Sequence, residues 1–168
     1  MEHLSIPKYS VMGWSAGGGA SMILAAQHPD KIKKLVIWCT SSFVHKEDLE
    51  TYKKIKEIST WGENIRQIMF ATYGEEEFRR IWKKWIDNMT HVLEVEPDVC
   101  SDQLKNITCP TFIMAGQKDY LVHPVHFPFL CYHIKNSKYF LYPEGKHDIH
   151  IKYADDFNQR VQEFLLEE

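Results

Sequence analysis

The feature that most constrains this sequence is an apolar run, Tyr9-Ser10-Val11-Met12-Gly13-Trp14, that passes without a loop into Ser15-Ala16-Gly17-Gly18-Gly19. A stretch rich in Ala, Met, Ile and Leu follows and ends at Gln27, before Pro29. The run reads as a strand and the stretch as a helix, so Gly13-Trp14-Ser15-Ala16-Gly17 matches G-x-S-x-G at a strand-to-helix junction, where that motif has a mechanical meaning. Such a turn strains the backbone at the serine, and Gly13 and Gly17 are both expected to leave it room. Ser15 Oγ should then stand exposed above the strand end. The N–H of Ala16, at the start of the helix, is expected to face the point where an oxyanion would form. The alternative is a glycine-rich turn that only lets a helix pack on a strand.

Lys34–Cys39 and Thr111–Ala115 are continuous β-prone runs without polar alternation, the pattern of strands buried on both faces of a parallel sheet, and Ser137–Tyr142 is a weaker fourth run. Residues 43–107 contain no convincing strand, and Phe78, Trp82, Trp85 and Met89 recur there at helical spacing. The tail through Tyr153, Phe157, Val161 and Phe164 is amphipathic. The order of elements predicts an α/β fold with a parallel sheet of about four strands flanked by helices. Residues 1–42 and 108–168 would form its core and residues 43–107 a helical cap. The strand leading to Ser15 would lie at a sheet edge although its sequence reads as buried.

A serine hydroxyl needs a base to take its proton, and nine histidines are available. His147 follows the turn Pro143-Glu144-Gly145-Lys146, just after the last strand, from which a loop can reach the strand ends. His150 is its nearest rival. Asp119 lies between Ser15 and His147 in sequence and follows the third strand across Gly116-Gln117-Lys118, which puts it at the same end of the sheet as Ser15. Ser15 as nucleophile, His147 as base and Asp119 as the acid that orients it therefore form the candidate triad. His123-Pro124-Val125-His126 and His147-Asp148-Ile149-His150 have H-x-x-H spacing, but proline and loop context argue against a metal, and no cofactor is expected. The Trp and Phe stripe of the cap reads first as a packing face and second as pocket lining.

The formal charge is −3, with basic and acidic residues mixed, so neither nucleic acid nor an anionic membrane is an expected partner. Four cysteines without C-x-x-C pairing favour a reducing, intracellular compartment, and no apolar stretch reaches the length of a membrane helix.

With these residues in place the sequence resembles the α/β-hydrolase superfamily, and within it the valacyclovir hydrolase, or biphenyl hydrolase-like, group. The resemblance rests on Gly13-Trp14-Ser15 with Gly17-Gly18, Val36-Ile37-Trp38, Lys84-Trp85, Gly116-Gln117-Lys118-Asp119, and Pro143 to His147 continuing to Phe157-Asn158. It implies an intracellular serine hydrolase, cytoplasmic or mitochondrial, that cleaves small carboxylic esters, notably of α-amino acids. Trp14, Leu121, Trp82 and Trp85 are the candidate substrate contacts. Two departures stand out. The group typically carries an aspartate after the serine, a partner for a substrate ammonium, where this sequence has Ala16. Its members also have an N-terminal half that supplies further strands and a second oxyanion donor, so the expectation is an N-terminally truncated chain. The alternative function is then a catalytically impaired fragment or isoform acting through protein interaction. A third reading keeps the triad and turns it to thioesters or carbon–carbon bonds. Sequence does not indicate the oligomeric state.

Overall fold

Four parallel strands, β1 (Tyr9–Trp14), β2 (Ile32–Trp38), β3 (Thr111–Gly116) and β4 (Ser137–Tyr142), are hydrogen-bonded in that order. The computed structural model describes residues 1–95 and 97–167 and divides into two units, Met1–Phe43 with Val99–Glu168, and Val44–Asp98. Successive residues of a strand point to opposite faces, and in β2 both faces are apolar because both are covered. Leu35 and Ile37 pack with Ile113 of β3, with Met22 and Ala25 of α1 (Ala16–Gln27), and with Leu130 of α5 (His126–His133). Val36 and Trp38 face the other way. They join Phe112 and Met114 of β3, Ile149 of the short α6 (Ile149–Lys152), and Phe157, Val161 and Phe164 of α7 (Ala154–Leu166).

The expected edge position of β1 is observed: among the described residues only β2 pairs with it, and Met12 and Trp14 remain 44% and 39% exposed.

The second unit holds α2 (Lys46–Ile55), α3 (Glu63–Tyr73) and α4 (Glu75–Val95). The indoles of Trp61 and Trp82 both donate to the Ile55 carbonyl, at 2.8 and 3.0 Å. Trp82 stacks on Trp85, and Tyr52 meets Trp85 edge-on, so the stripe on α4 binds this unit together. The unit is shorter than the segment 43–107 expected from sequence. Cys100, Leu104 and Ile107, around a 3₁₀ turn at Ser101–Asn106, bury themselves in the sheet unit's core beside α1 instead. Among the described residues no helix is long and apolar enough to cross a membrane.

Candidate active site

The turn at the end of β1 is strained where the sequence reading requires it: Ser15 has φ +53°, ψ −125°. Its backbone is held on both sides. Ser15 N–H donates to the Trp38 carbonyl at 3.1 Å, and the Thr40 hydroxyl donates to the Ser15 carbonyl at 2.6 Å. Gly13 is needed for space, since a Cβ there would lie 2.3 Å from both the Gly17 carbonyl and Ser21 Oγ. Gly18 is needed too, because a Cβ there would meet Thr40 at 2.6 Å. Gly17 corrects the expectation that both flanking glycines are sterically required, for a Cβ there meets nothing within 4 Å. The N–H of Ala16, the first residue of α1, has no backbone acceptor among the described residues, as at any helix start.

The acid and the histidine meet because two loops are fastened to each other. Lys118 N–H donates to the Gly145 carbonyl at 2.8 Å, Gln117 N–H to the Tyr142 carbonyl at 2.9 Å, and Lys118 pairs with Glu144. A Cβ on Gly116 would lie 2.4 Å from the Lys146 carbonyl, so the two backbones touch where glycine alone fits. Asp119 then accepts from His147 Nδ1 through Oδ2 at 2.9 Å, while its Oδ1 accepts from the N–H groups of Leu121 (2.8 Å) and Val122 (3.1 Å). Both side chains are buried, at 5% and 9% exposure. A carboxylate with both oxygens occupied in this way is fixed in orientation and fixes the imidazole in turn.

Trp14 links this pair to the serine turn. Its indole N–H donates to the His147 carbonyl at 2.9 Å, and the two rings lie 5.2 Å apart. The Ser15 hydroxyl itself makes no hydrogen bond among the described residues. Bonds of a nucleophile to its base are often long without substrate. The rival His150 is engaged elsewhere: its Nδ1 accepts from the Trp38 indole at 3.1 Å and its ring lies 4.6 Å from that of Trp14. Burial holds its pKa below the ordinary histidine value. Leu121 is half-buried beside Asp119, whereas Trp82 and Trp85 lie in the helical unit and pack as described above. Neither H-x-x-H pair brings both rings into one donor cluster among the described residues.

Cys39 is a site residue that sequence reading missed. It follows β2, is 2% exposed and has φ +47°, a conformation that costs an L-residue energy. Its Sγ lies 3.7 Å from the Lys146 carbonyl, and Sγ, a carboxylate oxygen of Asp119 and a ring nitrogen of His147 all lie within 4.8 Å of one another. Burial, and then the Asp119 charge, push its thiol well above the usual range. In sequence it was only the last residue of an apolar run. A cavity of about 320 Å³ opens beside it, lined among others by Asp119, Val122, Phe127, Leu130 and Leu141.

Comparison with known proteins agrees with this architecture. Residues 1–67 match the family model described as the α/β hydrolase fold. Mouse and human serine hydrolase BPHL are each 38% identical over 166 residues, 98% of this chain. The chain spans 57% of the length of those curated relatives. The solved structure of 2-hydroxy-6-oxo-6-phenylhexa-2,4-dienoate hydrolase from Rhodococcus sp. strain RHA1 superposes with a TM-score of 0.76 at 15% identity, over 99% of this chain and 67% of that one.

Proposed function

We propose that this chain, which matches the α/β-hydrolase fold family model over residues 1–67 and is 38% identical to serine hydrolase BPHL, works as a serine hydrolase on small carboxylic esters. The observation that carries the reading is the buried His147–Asp119 hydrogen bond of 2.9 Å beside a serine strained to φ +53°. In the proposed cycle Ser15 Oγ attacks the ester carbonyl and His147 Nε2 takes its proton, then returns it to the departing alcohol. Water deacylates Ser15 by the same route. Asp119 keeps the proton on Nδ1, leaving Nε2 as the acceptor, and stabilises the imidazolium that forms. Ala16 N–H is one oxyanion donor. With alanine at position 16, that position supplies no carboxylate to anchor a substrate ammonium, so neutral acyl groups should be accepted as readily as aminoacyl groups. The name of the mouse and human relatives, serine hydrolase, supports the reaction class.

Labelling with a fluorophosphonate probe tests the reading. The expected outcome is covalent modification at Ser15, absent in Ser15→Ala and slowed by several orders of magnitude in His147→Ala. An unlabelled Ser15 in a folded chain rules it out.

A second reading, a chain that binds a partner through its sheet edge without catalysis, is favoured by the outer edge of β1, which no described strand pairs, and by the exposed Met12 and Trp14. Partner binding that survives Ser15→Ala, with no ester turnover in the parent, would select it.

A further inference from the structure

We infer that Cys39, Asp119 and His147 form a binding site for a thiophilic divalent cation such as Zn²⁺. Three donors of different kinds, a thiol sulfur, a carboxylate oxygen and an imidazole nitrogen, lie within 4.8 Å of one another and come from separate parts of the chain. This is the donor set that Zn²⁺ takes, with bonds of about 2.0–2.3 Å in a tetrahedral arrangement and an open fourth position for water. Ligands so arranged stand about 3.3–3.8 Å apart, so small side-chain rotations complete the site.

Charge supports the assignment. A thiolate and a carboxylate together neutralise a divalent ion, and a buried charge is tolerated where it is paired or bound to a metal. Cys39, at φ +47° and 2% exposed, holds its sulfur beside the Asp119 carboxylate and the His147 ring. The cavity lined by Cys39, Gly116 and Asp119 gives an ion a way in.

Binding balances as follows. The Cys39 proton leaves to solvent as the sulfur–metal bond forms, and neutral His147 shifts its proton from Nδ1 to Nε2 as Nδ1 takes the metal. An imidazole so held cannot accept the Ser15 proton. Occupancy would therefore silence the proposed hydrolase reversibly, although the site itself does not depend on that activity.

The test is a Co²⁺ titration of the full chain, kept reduced with a phosphine. The expected result is a thiolate-to-cobalt charge-transfer band that saturates at one equivalent and is erased by one equivalent of Zn²⁺. Cys39→Ser should abolish the band and weaken Zn²⁺ binding more than about a hundredfold. Cys39→Gly, which relieves the positive φ, should do the same in a chain whose far-ultraviolet dichroism is unchanged. Cys131→Ser, at a half-buried thiol outside the cluster, should leave the band intact. No band in the parent chain overturns the inference. So does a band that survives loss of Cys39 or disappears with Cys131. Ester turnover enters none of these readouts, so a failed hydrolase and a failed metal site give different results.

Discussion

At Gly116 one added methyl group would press on the loop that carries the proposed base. The Cβ of Gly116→Ala meets backbone atoms of Gly145 and Lys146 at 2.4–2.5 Å, and backbone cannot rotate away as a side chain can. A loss of about 1–3 kcal/mol in urea denaturation is expected, with slower probe labelling of Ser15. Gly17→Ala is the control. Its Cβ has open space and its helical position favours alanine, so stability should hold or rise by up to about 1 kcal/mol. Equal damage at both positions would show that close backbone approach is not what positions His147. At His150 the expectation concerns pH. Burial, and then neighbouring His147, lower its pKa against the opposing pull of Asp148. The unfolded chain therefore takes up this proton at a higher pH than the folded one. Stability from this group is complete above the ordinary histidine pKa of about 6.5 and falls as pH drops below it. Protonation also removes the acceptor that the Trp38 indole uses. His150→Gln should lose less melting temperature than the parent on acidification through that range, and identical losses would refute the assignment.

Among the elements, α7 shows how one face of a helix closes a sheet. Phe157, Val161 and Phe164 recur at helical spacing and are at most 6% exposed, against Val36, Trp38, Phe112 and Met114. Phe157 meets Trp38 edge-on at 5.0 Å, and Trp38 holds His150. Phe157→Ala should cost about 3–5 kcal/mol and release the His150 ring, read as a midpoint shift in denaturation and a change in Trp fluorescence. A cost below about 1 kcal/mol would mean that α7 does not close this face. The helical unit owes its cohesion to aromatics in the same way: Trp82 stacks on Trp85 and meets Trp61 edge-on, and Trp61 and Trp82 are bonded to the same carbonyl of Ile55.

For the whole molecule the open β1 edge matters most. A strand whose sequence is apolar on both sides presents unpaired backbone groups and the exposed side chains of Met12 and Trp14. Such an edge recruits another strand. Met12→Lys, at a position already 44% exposed, should leave folding stability within about 0.5 kcal/mol and reduce self-association measured by sedimentation velocity. Unchanged association would place the sticky surface elsewhere.

The sequence by itself determined the elements and the order of the chemistry. β1 and β4 fall on their expected residues, and the serine turn sits at the expected junction, because local periodicity and glycine placement are short-range properties. Asp119 and His147 were legible as the ends of two loops following two strands. That they touch was decided by tertiary structure, through the close approach of Gly116 to Gly145 across an interval of chain that no local pattern spans. The needlessness of Gly17's missing Cβ, the burial of Cys100 to Ile107 with α1 rather than with the cap, and the arrival of Cys39 beside the acid were likewise invisible in sequence. Each depends on which atoms of distant segments occupy the same space, and one-dimensional spacing carries no information about that.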